Sequence, residues 1–122
     1  VPFLSQLGLI VPTVPFAGVL YGVTKGRRTF NVSHVPIRSK NLPSAFAGVK
    51  IVQISDMHLG SYGNDLSMVR NGVELINEQH PDLIIFTGDL VNDYATEAEP
   101  FIEAIGELKA RIGKFSILGN HD

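Results

Sequence analysis

The sequence predicts an α/β fold: a parallel β-α-β-α-β unit over residues 49–122, reached through a linker arm at 25–48 and preceded by a hydrophobic membrane-spanning helix or signal anchor at 1–24. Three observations predict it. Three short, nearly uninterrupted apolar runs have the length and composition of buried parallel strands. Two stretches between them repeat apolar residues at helical spacing. And no charged residue occurs from Val1 to Thr24.

The run from Phe3 to Tyr21 is long enough to cross a hydrocarbon core of about 30 Å as a helix. Ser5 and Gln6 interrupt it mildly. Pro12 and Pro15 would kink a helix, which membrane helices tolerate better than soluble ones. Tyr21 stands where an interfacial aromatic belongs, and Lys25, Arg27 and Arg28 follow, which favours the cytoplasmic side for the domain beyond. A secretory signal would carry its basic stretch first and have a shorter apolar core. In the arm, Thr29 to Val35 partly alternates polar and apolar residues, so a short strand is expected with Phe30, Val32 and Val35 facing inward. Pro36 and Pro43 punctuate the arm, and His34 reads as an exposed or edge-strand histidine.

From Val49 the pattern is regular. Val49 to Ile54 reads as the first strand. Asp65 to Gln79 reads as a helix, with Leu66, Val69, Val73 and Ile76 on one face, Asn64 or Asp65 as its cap, and His80-Pro81 as its stop. Leu83 to Thr87 is the second strand. Thr96-Glu97-Ala98-Glu99 matches a capping box and opens a second helix. Its apolar face is Phe101, Ile105, Leu108 and Ile112, with Lys109 and Arg111 in the last turn and Gly113 as the stop. Phe115 to Leu118 is the third strand.

Composition narrows the chemistry. At 44% hydrophobic and 18% charged, the chain is too apolar for a disordered tail. Its net charge of −2 lacks the basic excess of a nucleic-acid-binding module. With no cysteine, thiolate metal sites, disulfides and thiol nucleophiles are excluded. The chain opens on Val1 rather than methionine and stops at Asp122 inside a motif, so the expectation is part of a longer protein.

In parallel α/β sheets the site lies beyond the carboxyl ends of the strands. After the first strand comes Ser55-Asp56-Met57-His58. After the second comes Gly88-Asp89-Leu90-Val91-Asn92-Asp93, and after the third Gly119-Asn120-His121-Asp122. Asp56, His58, Asp89 and Asn120 offer carboxylate, imidazole and amide ligands, a mixed oxygen and nitrogen set suited to manganese, iron, zinc or magnesium. One central aspartate can bridge two ions about 3.5–4 Å apart, and such a pair can polarise a phosphoryl group and activate water for in-line attack. His121 is available to protonate the leaving oxygen. Gly88 and Gly119 let the backbone turn sharply at the strand ends. Singly, each residue has a plain reading as a cap or loop side chain. Jointly, those readings would need their polar groups to gather at one sheet edge by coincidence.

Asp56-x-His58, Gly88-Asp89 and Gly119-Asn120-His121-Asp122, in that order after three predicted strands, resemble the calcineurin-like metallophosphoesterases. The resemblance covers residues 49–122, and with the hydrophobic N-terminal segment it is similar to the membrane-associated bacterial branch, some members of which hydrolyse phosphodiester or pyrophosphate bonds in lipids or nucleotides. It implies an α/β/β/α sandwich of which this chain is the N-terminal part. It implies two divalent metal ions: Asp56 and His58 on the first, Asp89 bridging, Asn120 on the second, and His121 as general acid or transition-state stabiliser. Many relatives place an aspartate three positions after the bridging one to orient that histidine. Here Asn92 stands there, with Asp93 next to it, so Asn92, Asp93 and Asp122 are the candidates for supporting residues. Relatives complete the second metal site with further histidines, including a Gly-His-x-His-type motif well downstream. The expectation is therefore a phosphomonoester, phosphodiester or pyrophosphate hydrolase that is weak or inactive as these residues alone. The alternative is a non-catalytic, membrane-tethered remnant or binding module.

Overall fold

The structure, a computed structural model, describes residues 29–122. The membrane-spanning or signal-anchor segment expected at 1–24 lies outside the described residues, and no helix among those described is long and apolar enough to cross a membrane. Residues 29–39 take no regular secondary structure. The short strand expected over Thr29 to Val35 does not form, and Phe30, Val32 and Val35 are exposed rather than turned inward. Partial alternation does not by itself make a strand.

Three parallel strands, β1 (Ile51–Ile54), β2 (Leu83–Phe86) and β3 (Gly113–Ser116), lie side by side in chain order. Ile51 pairs with Leu83 and Leu83 with Gly113, so all three strands run in step toward one edge. β3 starts two residues before the apolar run that announces it. Register with β2 decides its bounds, and Ile117 N–H still donates to Phe86 O at 3.0 Å beyond its end.

Helix α1 (Leu66–Glu78) forms as its periodicity predicts. Asp65 is the cap, accepting Ser67 N–H at 3.1 Å. Met68, Val69 and Val73 are its buried residues. His80 ends the run in a left-handed conformation, φ 51°, just before Pro81.

The second helix departs from expectation. Residues 95–101 wind as a 3-10 helix, and only Ile102–Gly106 (α2) is α-helical. The cap position is Tyr94 and no side chain caps it, so the Thr96–Glu99 capping box is not made. Pro100 sits inside this segment and has no N–H to give to an α-helical ladder. Farther on, long-range bonds win over helix continuation. Asn77 takes Lys109 N–H at 2.8 Å and donates to Glu107 O at 3.0 Å. Arg111 N–H donates to Pro81 O and Ile112 N–H to Asp82 O. Gly113 thus opens β3 instead of stopping a helix.

The core is Leu59, Val69, Val73, Phe101 and Ala104, with Met57, Tyr62, Leu90, Ala98, Ile105 and Leu108 packed against it. Phe101 and Leu59 are fully buried. Burial along β1 is one-sided, short of the fully buried strand that its apolar run predicts. Along β1, Val52 and Ile54 are half-buried while Ile51 and Gln53 are exposed. By register, Ile51 and Leu83 share one face with Ile85 and Phe115. Ile51 is 53% exposed and Phe115 62%, so that face lacks full cover.

Candidate metal centre

The strands deliver their following loops to one edge, and the loops are laced together there. Asp56 N–H donates to Gly88 O, His58 N–H to Asp89 O and Leu59 N–H to Leu90 O, at 3.1, 3.1 and 2.9 Å. Lacing two loops so closely bends the backbone. Asp56, His58 and Asp89 all take positive φ, at 53°, 44° and 59°. Non-glycine residues pay of order 1–3 kcal/mol for such conformations, which persist where surrounding contacts over-determine them. Here the backbone bonds do so, and the result aims three ligand-type side chains at one place.

Asp56, His58 and Asp89 each bring one ligand atom into a group whose members lie within 4.8 Å of one another. His58 Nε2 is 3.9 Å from Asp56 Oδ1. His58 and Asp89 are half-buried and Asp56 is exposed, so the group opens to solvent. Two carboxylates and an imidazole converging at this spacing fit a divalent cation of the oxygen- and nitrogen-preferring kind.

The third loop closes on the second. Gly88 has φ 105°, and a Cβ there would stand 2.5 Å from Gly119 N and 2.6 Å from its Cα. A Cβ on Gly119 would collide with Asp89 Oδ1. The two glycines therefore permit the contact between loops and leave room for the Asp89 carboxylate. That carboxylate accepts His121 N–H at 3.0 Å. Asn120 is exposed and stands at the same edge, between Gly119 and His121.

Asp122 locks the arrangement from behind. Its Oδ2 accepts N–H from Asp89 at 2.7 Å and Gly119 at 2.8 Å. Its Oδ1 accepts from Leu90 at 2.6 Å and Val91 at 3.3 Å. The Gly119 N–H, followed by those of Leu90, Val91 and Asp89, holds the Asp122 carboxyl below the usual aspartate range.

His121 crosses the ring of His58 edge to face, with centroids 5.2 Å apart. Its Nδ1 lies 2.8 Å from the backbone oxygen of Asn92. The partner of this histidine is thus a main-chain carbonyl of residue 92, where the pattern of relatives led us to look for a carboxylate. The Asn92 side chain turns instead to Ser61 Oγ, 3.1 Å away. Asp93 is exposed and lines, with His121 and Asp122, an apolar-walled cavity of about 310 Å³ whose walls include Phe86, Leu90 and Ile117. Sequence reasoning passed over Ser61 and Glu97. Glu97 read as a capping or solvated carboxylate, yet it accepts Asn92 N–H at 2.6 Å, a contact no local pattern announces.

Comparison with known proteins bears on the same residues. A family model described as calcineurin-like phosphoesterase matches residues 49–122, the span that carries the three strand-end loops. An uncharacterized metallophosphoesterase of Bacillus subtilis, YkuE, is 42% identical over 88 residues, 70% of this chain and 30% of its own length. A zebrafish (Danio rerio) protein named transmembrane protein with metallophosphoesterase domain is 32% identical over 119 residues, 97% of this chain and 26% of its own. A Chlamydia trachomatis protein named UDP-2,3-diacylglucosamine pyrophosphatase LpxG is 36% identical over 114 residues, 90% of this chain and 34% of its own. The chain therefore spans about a quarter to a third of the length of these relatives. No solved structure gives a significant match. The laced loops, the carboxylate–imidazole cluster and the family match over the same 49–122 span lead to one assignment: the chain belongs to the calcineurin-like phosphoesterase family.

Proposed function

We propose that the protein containing this chain is a metal-dependent phosphoesterase that hydrolyses a phosphomonoester, phosphodiester or pyrophosphate bond. The observation that carries this reading is the convergence of Asp56, His58 and Asp89 at the sheet edge, with His121 against His58. Asp56 and His58 would hold one divalent cation, Asp89 would be shared with a second, and Asn120 would join the second. Bound there, manganese, iron, zinc or magnesium ions would supply the Lewis acidity that polarises a phosphoryl group and activates water. The chain's own residues do the rest. His121 gives a proton to the leaving oxygen, and Asp122 fixes the loops that carry Asp89 and His121. The second cation needs ligands that these residues do not supply, so residues 49–122 are the N-terminal part of a larger catalytic domain with a two-sheet α/β/β/α sandwich. The incompletely covered sheet face supports a further layer. Residues 1–24 tether the domain to a membrane through the arm at 25–48, a reading supported by the relative named as a transmembrane protein. The relative named as a pyrophosphatase of a diacylated sugar nucleotide supports a lipid- or nucleotide-borne phosphoester as substrate.

The test is hydrolysis of an aryl phosphodiester by the full-length protein, with manganese and with a chelator, beside an Asp89→Asn variant. Manganese-dependent turnover that disappears in the variant is expected. Turnover that survives Asp89→Asn, or that the chelator leaves untouched, would refute the assignment. Manganese binding without turnover on any phosphoester would point to the non-catalytic reading.

A further inference from the structure

We propose that Glu97 is a positioning residue for His121, acting through the peptide group between Asn92 and Asp93. The inference rests on the reading of His121 as the proton donor. It begins with the asparagine at 92. Asn92 turns its amide nitrogen to Ser61, and its Oδ1 is buried without a partner. Its side chain therefore does not orient the histidine. Its backbone carbonyl does, at 2.8 Å from His121 Nδ1. A carbonyl oxygen can only accept, so Nδ1 carries the hydrogen. That leaves Nε2 as the nitrogen that takes up and gives away a proton.

The other side of the same peptide group faces a carboxylate. Its N–H, that of Asp93, points to Glu97 Oε2 at 3.4 Å, and the N–H of Asn92 donates to the same oxygen at 2.6 Å. The order is Glu97 carboxylate, peptide N–H, peptide C=O, His121 Nδ1–H. Bonds in such a chain polarise one another, and a charged acceptor at one end strengthens the acceptor at the other. Glu97 thus anchors the carbonyl and enriches it in negative charge. The charge reaches the ring from a residue five positions farther on, through the backbone.

Gly60 makes the arrangement fit. A Cβ at that position would stand 2.5 Å from Glu97 Oε2 and 2.8 Å from Asn92 Oδ1. The two oxygens therefore flank one small space. An aspartate at 92 would put a second negative charge beside Glu97, an arrangement that like-charge repulsion disfavours. With asparagine at 92, the neighbouring oxygen is uncharged and the one charge stands at 97.

The experiment has two arms. In the first, nitrogen-15 NMR reads the tautomer of the neutral His121 ring in the metal-free chain, in the parent and in Glu97→Gln and Glu97→Ala. The parent is expected to show Nδ1–H alone. Glu97→Ala, which removes the anchor, is expected to show a mixture, and Glu97→Gln, which keeps an acceptor without the charge, a smaller fraction of the second tautomer. A parent ring protonated on Nε2, or variants identical to the parent, would overturn the inference. In the second arm, the full-length protein hydrolyses an alkyl and a nitrophenyl phosphodiester. A proton donor matters most for the poor leaving group. Glu97→Gln is expected to lower kcat on the alkyl ester about tenfold and on the nitrophenyl ester less than about twofold, with KM unchanged. Equal losses on both would mark Glu97 as merely structural and overturn the inference. If the protein hydrolyses nothing, the phosphoesterase reading fails, and the NMR arm still decides what Glu97 does to the ring.

Discussion

At Asp122, one carboxylate accepts N–H groups from the loops after β2 and β3, two on each oxygen. Asp122→Asn makes one of those oxygens an NH2 group facing two donors. The variant is expected to unfold at lower denaturant than the parent, and Asp122→Glu to recover only part of the loss because its longer stem shifts the oxygens. A denaturation midpoint for Asp122→Asn equal to that of the parent would mean that the loops hold without it. The glycines beside it separate two effects. Gly88→Ala places a Cβ against the main chain of Gly119 at a φ of 105°, and a loss of at least about 2 kcal/mol is expected from equilibrium unfolding. Gly119→Ala drives a methyl into the Asp89 carboxylate, so its expected signature is weaker manganese binding, measured by calorimetry, with a smaller change in stability. These ligand-type residues were legible in the sequence because each follows an apolar run and a turn, where parallel sheets put their chemistry. The partner of His121 was not legible. It is a backbone oxygen, and no residue type announces a carbonyl.

Among the elements, α1 was legible and the second helix was not, for opposite reasons. In α1, periodicity, the Asp65 cap and the His80-Pro81 stop all agree. In the segment from Ala95 to Gly106, the apolar spacing argues for an α-helix, Pro100 argues against one, and Asn77 decides the end from another element. Phe101 nevertheless reached the core that its spacing predicted. It is fully buried, and Phe101→Ala is expected to cost about 3–5 kcal/mol of unfolding free energy; a loss below about 1 kcal/mol would show that the site collapses around the cavity. Asp82 ties the starts of the strands together. It accepts Lys50 N–H at 2.9 Å and Arg111 Nε–H at 2.6 Å. The Lys50 N–H first, then the Arg111 side chain, hold its carboxyl below the usual aspartate range. A group whose pKa is depressed on folding adds stability above its unfolded pKa, about 3.9 for aspartate, and loses that contribution as pH falls through the lower folded value. Asp82→Asn is therefore expected to weaken the fold at pH 7 and to flatten the acid dependence below about pH 4. Urea unfolding at neutral and at acid pH measures both, and an equal loss at the two would contradict the assignment.

For the whole molecule, chemistry sits at one edge of the sheet and an incompletely covered apolar surface on one face. Among the described residues, three parallel strands leave two outer edges, and one face carries Ile51 and Phe115 in view of solvent, with Ile117 and Leu118 exposed beyond β3. Exposed apolar side chains of this kind favour association, and an outer parallel strand offers a second copy a template. The order of the site does not depend on that face, because the loops are laced by backbone bonds and by Asp122 at the carboxyl edge. Association and metal binding should therefore separate. In the 122-residue chain, the double substitution Ile51→Thr, Phe115→Lys is expected to reduce concentration-dependent self-association in sedimentation velocity while leaving the manganese affinity of the Asp56, His58 and Asp89 cluster within about twofold, since neither residue belongs to the cluster. The apolar run at 1–24 is common to both chains, so the difference between them reads the sheet face. Unchanged association would assign the contact elsewhere in the chain, and a large loss of manganese affinity would show that the sheet and the site are coupled more tightly than the loop bonds require.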